Sequence, residues 1–144
     1  VPKPRMVDIE VKSLLDELCQ LHKKELADAN IQSSLSVQPE TLSIHADKGQ
    51  IEQVIINLLK NAMQSFDRND NRMIEVKAYQ NDKQRIIISV RDNGTGIDPE
   101  ALEKIFIPFF TTKKNGSGIG LSLSRQIMRQ HKGSLTVKST PGEG

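Results

Sequence analysis

Tryptophan is missing from this chain of 144 residues, tyrosine occurs once, and aromatic residues make up only 3% of it. There is one cysteine, Cys19, so no disulfide can form within these residues and a reducing compartment is expected. No apolar run approaches the roughly 20 residues needed to span a bilayer. The first residues, Val1-Pro2-Lys3-Pro4-Arg5, lack the apolar segment of a secretion signal. Charge of one sign is also scarce: the net charge of +2 is spread along the chain and argues against a nucleic-acid surface. With 36% apolar and 26% charged residues, neither disorder nor membrane residence fits. What remains is one soluble, cytoplasmic domain large enough for its own core.

The scarce residues are not evenly spread. Three of the four Phe lie between 106 and 110, and five of the nine Gly lie between 94 and 120. Aromatics this few would ordinarily be shared out over the core; clustered beside glycine, they suggest a shaped loop.

Hydrophobic period predicts the elements. Val11, Leu14, Leu15 and Leu18 predict a helix over 8–26 with Asp8 as cap. Ile31, Leu35 and Val37, then Leu42 and Ile44 around Pro39, predict two half-buried strands forming a hairpin. Ile51, Val54, Ile55, Leu58, Leu59, Ala62, Met63 and Phe66 predict a four-turn helix, with Asp47 and Gln50 as a capping box. Strands follow at 74–78 and 85–90, the second apolar enough to be central. Asp98-Pro99 starts a short helix to about Ile105, 106–118 is a loop, and a helix from Ile119 to His131 is stopped by Gly133. Leu135 and Val137 predict a last strand, and residues 140–144 a turn that leads nowhere, as if a final strand had been cut away. The order predicts an α+β fold with a mixed sheet and helices packed on one face.

Four features could carry chemistry. Asn57 and Asn61 lie four residues apart, about 40° around the helix axis, on a polar flank where asparagine is a mediocre helix former. They read either as a solvated face or as amide oxygens offered to a hard cation. Asp92-Asn93-Gly94-Thr95-Gly96 follows a strand and reads as an ordinary turn or as a fixed acceptor beside backbone open to a planar ligand. Ile105 to Phe110, followed by Thr111-Thr112-Lys113-Lys114, reads as a small core or as a flap hinged on aromatics with lysines facing an anion. Gly116-Ser117-Gly118-Ile119-Gly120-Leu121 runs into a helix whose exposed N–H groups suit a phosphate. It is not a Walker A loop, because its lysines precede the glycines.

Together, and in this order, the four resemble the N, G1, F and G2 boxes of the histidine kinase catalytic domain, within the gyrase, Hsp90, histidine kinase and MutL superfamily. The likeness covers nearly the whole chain, and Phe109-Phe110-Thr111-Thr112-Lys113 with Gly116–Leu121 is most similar to nitrogen-sensing kinases. The resemblance implies a Bergerat-type ATP fold, a two-layer α/β sandwich with ATP between helices under a lid. It implies that Asp92 accepts the adenine amino proton while Gly94 and Gly96 give the base room. Asn61 would bind Mg²⁺, with Asn57 near the phosphates or metal waters. Lys113 or Lys114 and the amides of Gly116, Ser117, Gly118, Ile119 and Gly120 would hold the triphosphate, with Ile97, Phe106, Thr112 and Leu121 completing the nucleotide site. Asn57, Asn61 and Lys113 are the implied catalytic residues. Where many members carry Lys three residues after the metal Asn, this chain has Gln64.

The position four before the metal residue separates the branches. Related ATPases and anti-sigma-type serine kinases place a glutamate general base there; the neutral amide of Asn57 cannot take a proton, which favours holding ATP for another nucleophile. The acceptor histidine of the family is not found: His22, His45 and His131 lack its motif. Residues 1–7 are then expected to end a linker from a dimerisation and phosphoacceptor domain, and 8–144 to be the catalytic domain. The expected partners are that domain and a response regulator, with no nucleic acid. The isolated domain is expected to be monomeric, within a homodimeric parent that could be anchored in the inner membrane. The rival readings are a superfamily ATPase or serine kinase, and a nucleotide-binding scaffold without activity.

Overall fold

Four residues of strict alternation, Val7-Asp8-Ile9-Glu10, decide how the chain begins. In the computed structural model, which describes residues 1–67, 71–111 and 120–144, they form strand β1 (Val7–Glu10). The helix period starts only at Val11, giving α1 (Val11–Leu21) and α2 (Lys23–Asp28). The expected helix over 8–26 is thus corrected at its start. Asp8 lies on a strand, 2.9 Å from His45 Nδ1, and the N-cap position of α1 is Glu10, without a side-chain cap bond. Tertiary pairing replaces the cap, since the Val11 N–H donates to Leu42 O at 3.0 Å. Between the two helices His22 is 3% exposed and its Nδ1 lies 2.8 Å from Leu18 O. A carbonyl only accepts, so the ring nitrogen donates, and His22 is a satisfied core histidine.

The remaining strands are β2 (Ile31–Gln38), β3 (Ser43–Ala46), β4 (Arg72–Gln80) and β5 (Ile86–Asp92). β3 pairs antiparallel with β1, whereas β2 pairs parallel with β4, which is antiparallel to β5. The expected hairpin of β2 and β3 is therefore corrected: alternation identifies a strand but not its partner, and each finds its neighbour elsewhere. In the order β2-β4-β5 the central place belongs to β4, not to the apolar run at 85–90. Ile74, Val76 and Ala78 of β4 are each 1% exposed beneath the helices, while Met73 and Tyr79 on the opposite face are 46% and 40% exposed. Ile87 lies opposite Tyr79 on that outer face, so part of the apolar run reflects a cross-strand pair, not a central position.

Helix α3 (Lys48–Met63) buries Ile51, Val54, Ile55, Leu59 and Ala62. Asp47 caps it, accepting from Gln50 N at 3.0 Å. Only half of the capping box forms, because Gln50 Nε2 reaches out to Pro2 O at 2.9 Å. Arg5 N also donates to Asp47, at 2.8 Å, so the arm formed by residues 1–6 lies across the start of α3. The short α4 (Pro99–Leu102) has the expected Asp98 cap, 2.8 Å from Ala101 N, but ends before Ile105.

Helix α5 (Gly120–Gln130) closes with Lys132 N to Arg129 O at 3.0 Å and Gly133 N to Met128 O at 2.8 Å. The left-handed residue of this stop is Lys132, with φ 58°, and not the glycine after it. Leu135 and Val137 keep the alternating half-burial of a strand, yet residues 134–138 join no ladder among the described residues. Period-two burial needs only an extended backbone, whereas a ladder needs a neighbour in register. The last turn closes through Thr140 N to Gly144 O at 2.7 Å and docks through Gly142 N to Thr95 O at 2.7 Å.

α1 and α2 pack on β2, α3 packs on β5, and α5 packs on α3. Leu14, Leu15 and Leu18 are 2%, 0% and 2% exposed; each is worth about 1.5–3 kcal/mol of burial. α5 runs antiparallel to α3, its C-terminal His131 accepting from Asp47 N at 3.0 Å through Nε2. The result is the expected α+β arrangement of a mixed sheet with helices packed against it. Among the described residues, no helix is long and apolar enough to cross a membrane.

Candidate functional site

Asn57, Asn61 and Ser65 succeed one another at intervals of four, placing them on one flank of α3 and its C-terminal end. At 1.5 Å per residue this flank runs about 12 Å, a length comparable with an extended nucleoside triphosphate. Each end of the flank is tied to a different glycine-bearing segment. At one end Asn57 Nδ2 meets Gly120 O at 3.4 Å and Ser124 Oγ at 3.2 Å, in the first turns of α5. At the other, Thr95 N and Thr95 Oγ1 both donate to Ser65 O, at 2.9 and 3.1 Å. The half-buried Asn61 lies between the two.

The turn after β5 is built around two side chains. Asp92 Oδ1 accepts from Gly94 N at 2.9 Å, and its other carboxylate oxygen has no hydrogen-bond partner among the described residues. Asn93 continues the sheet by side chain, accepting from Met73 N at 2.7 Å and donating to Asn71 O at 2.6 Å. Gly94 is buried against the end of α3, where a Cβ would fall 2.5 Å from Ser65 O. Gly96 has φ 76°, and a Cβ there would fall 2.5 Å from Thr140 O. Chain packing alone thus requires glycine at both positions. Ile97 is fixed by its N–H to Ser139 Oγ at 2.7 Å.

Not every aromatic of the 105–110 stretch acts as an anchor. Ile105 is buried, and the Arg125 guanidinium of α5 lies 4.2 Å from the centre of the half-buried Phe106 ring. Phe109, by contrast, is 74% exposed with φ 69°, and Ile107 is 52% exposed. The aromatic anchoring is thus shared by Phe106 and Phe110, both half-buried, while Phe109 takes no part in it. Thr112, Lys113, Lys114, Gly116, Ser117, Gly118 and Ile119 lie outside the described residues; Gly120 and the half-buried Leu121 begin α5.

Sequence reasoning missed three participants. Ser124 is a hydroxyl in the core-facing stripe that contains Ile127, and that polar interruption was its signal. Ser65 and the 139–144 turn carried none, since their role is only backbone approach. A groove of about 390 Å³ lined by Asp16, Cys19, Lys23 and Leu35 lies between α1, α2 and β2 and contains none of the site residues. Burial pushes the Cys19 thiol up, so it is no ready nucleophile there.

With this geometry in place, the likeness to known proteins is consistent throughout. Residues 46–144 match the model of the family described as histidine kinase-, DNA gyrase B- and HSP90-like ATPases. Over 136 residues the chain is 36% identical to the signal transduction histidine-protein kinase AtoS of Escherichia coli, covering 94% of this chain and 22% of that protein. It is 31% identical over 145 residues to sporulation kinase E of Bacillus subtilis, covering 99% of this chain and 19% of that one. The chain thus spans less than a third of the length of these relatives. The catalytic domain of the histidine kinase ThkA superimposes with a TM-score of 0.78 at 33% identity, over 87% of this chain and 80% of that one. Full-length ShkA, in complex with AMPPNP, gives 0.84 at 25% identity over 96% of this chain and 29% of its own. A family match over residues 46–144 and relatives above 30% identity agree, and the chain belongs to the histidine kinase-, DNA gyrase B- and HSP90-like ATPase family.

Proposed function

We propose that the chain binds Mg-ATP along the α3 flank and transfers the γ-phosphate to a histidine on a separate dimerisation domain, as the catalytic part of a two-component sensor kinase. The observation that carries this reading is the placement of Asn57 and Asn61 between the Asp92 turn and the start of α5, on one 12 Å line (about 1.5 Å per residue). The Asp92 oxygen that does not bond Gly94 N would accept the adenine amino proton. Asn61 would offer one amide oxygen to Mg²⁺. That is a fitting donor set, because Mg²⁺ keeps several waters and is completed by substrate phosphates. Bound there, the ion would neutralise charge on the transferring phosphoryl group. Lys113, Lys114 and the amides from Gly116 to Gly120 would hold the phosphates. Asn57, a neutral amide with both N–H groups engaged by α5, offers no base to activate water, which favours transfer over hydrolysis.

Residues 1–6 would be the end of a linker from the dimerisation and phosphoacceptor domain, since Val7 already pairs with Ala46 in β1, and a response regulator would receive the phosphate. A histidine kinase in complex with its response regulator, which superimposes with a TM-score of 0.73 at 30% identity, supports that partner. The working place is the cytoplasm.

Calorimetric titration with ADP and a non-hydrolysable ATP analogue, with and without Mg²⁺ and with GTP as control, tests the site. Adenine-selective, Mg²⁺-sensitive binding followed by labelled phosphate reaching a supplied histidine domain is the expected result. Hydrolysis to free phosphate without transfer would instead establish the ATPase reading, and binding without either reaction the scaffold.

A further inference from the structure

The Asn57 amide can be oriented by chemistry alone. One of its two neighbours on α5 is the carbonyl of Gly120, which can only accept, so the group at 3.4 Å from it is the NH₂ end. The same NH₂ donates to Ser124 Oγ at 3.2 Å. Both N–H groups are therefore turned to α5, and the amide oxygen makes no hydrogen bond with a described residue. Ser124 itself is 0% exposed. A buried hydroxyl in a core-facing stripe is costly unless bonded, and alanine would pack there as well. Its hydroxyl is explained by the bond to Asn57.

We propose that Ser124 is a positioning residue that locks the Asn57 amide with its oxygen towards the nucleotide flank. This rests on the reading that the phosphates lie along that flank. The lock makes Asn57 an acceptor on the site side. It cannot touch a phosphate oxygen, and serves a proton donor instead, a water or an N–H of the attacking group. Without Ser124 the orientation set by Gly120 O rests on one long bond, so the amide turns over more readily and then presents a donor where an acceptor is needed.

Two measurements on the full chain test this. The first needs no nucleotide: in ¹⁵N spectra the Asn57 side-chain NH₂ should show slow solvent exchange, lost in Ser124→Ala. Exchange at the rate of a free amide in the unaltered chain would overturn the lock. The second is transfer to a supplied histidine domain. Ser124→Ala should lower kcat about three- to tenfold, the range controlled by one ordinary hydrogen bond. Affinity for the Mg²⁺ complex of a non-hydrolysable ATP analogue should hold, whereas a mere displacement of α5 would weaken it. Ser124→Cys, of similar volume but a weak acceptor, should behave as alanine; wild-type kcat there would overturn the proposal in favour of packing. In an Asn57→Ala background Ser124→Ala should cost nothing further, and an undiminished loss there would also overturn it. Slow amide exchange in a chain that binds no Mg-ATP would sustain the lock and refute the reading of the flank.

Discussion

Three glycines separate steric from conformational cost. At Gly94 the backbone does not have positive φ, so alanine loses nothing conformationally, yet its Cβ would sit 2.5 Å from Ser65 O and 2.8 Å from Ser65 C. These are backbone atoms and cannot rotate away. Relief requires the turn to move off α3 by about 1 Å, far enough to break the Thr95 N–H to Ser65 O bond. Overpacking costs about 1–3 kcal/mol and the lost hydrogen bond about 1, so Gly94→Ala should destabilise by about 2–4 kcal/mol. Gly142 is the reverse case: φ is 83° and a Cβ meets nothing within 4 Å, so alanine should cost only the left-handed penalty of about 1–2 kcal/mol. Gly96 combines both and should be worst. Urea denaturation of the three alanine variants, with calorimetry of ADP, checks this. Gly94→Ala should also weaken adenine binding, since the moving turn carries Asp92. A Gly94→Ala stability within about 0.5 kcal/mol of the unaltered chain, or a penalty at Gly142 as large as at Gly94, would refute the close approach as the reason for glycine.

The remaining predictions are brief. Asp92→Asn should weaken adenine nucleotides far more than inorganic triphosphate, because an amide that still accepts from Gly94 N turns its NH₂ towards the adenine amino group; calorimetry showing equal losses would discard the adenine role. Asn61→Ala should abolish Mg²⁺-dependent transfer, and retained transfer with unchanged metal dependence would contradict its assignment. The Arg5 N–H, then the Gln50 N–H, hold the Asp47 carboxyl below the usual carboxylate range. Its contribution is therefore complete above its ordinary value and lost as pH falls through the lower folded one, so Asp47→Asn should flatten the acid limb of a stability–pH curve and leave its shape near neutrality. Arg125→Ala should speed proteolysis between 103 and 111, where Phe106 loses its cover; an unchanged cleavage rate would show that the ring contact does not hold the segment.

What could be read from the residues was whatever local chemistry decides. Helix α3 and the Asp47 and Asp98 caps are local matters of period and capping, and they form as expected. The contact of Asn57 with Gly120 and Ser124 spans more than 60 residues, and the order of the motifs is the sequence feature that links the two segments. The start of the chain is not legible because β1 is only four residues long, too short to announce a strand, and Asp8 stands where a cap for the following helical period would stand. Nearness in sequence suggests β2 with β3, whereas β2 pairs with β4 and β3 with β1, partners that lie more than 30 residues away along the chain. The packing roles of Gly94 and Gly96 were invisible for a related reason: they depend on Ser65 and Thr140, about 30 and 44 residues away along the chain, and nothing in a glycine announces which backbone will approach it.

The antiparallel pair of α3 and α5 is pinned at two points, by Asp47 and His131 at one end and by Asn57 with Ser124 at the other. Two pins make the pair a rigid bar. Sliding one helix along the other by a single turn, about 5.4 Å, would tear out both pins at once, so gradual shear is closed to it. The arm formed by residues 1–6 is fastened at the Asp47 end, through Arg5 and Pro2. A pull on that arm therefore reaches α3 at the end where His131 of α5 is also held, so the two helices feel it at one shared point.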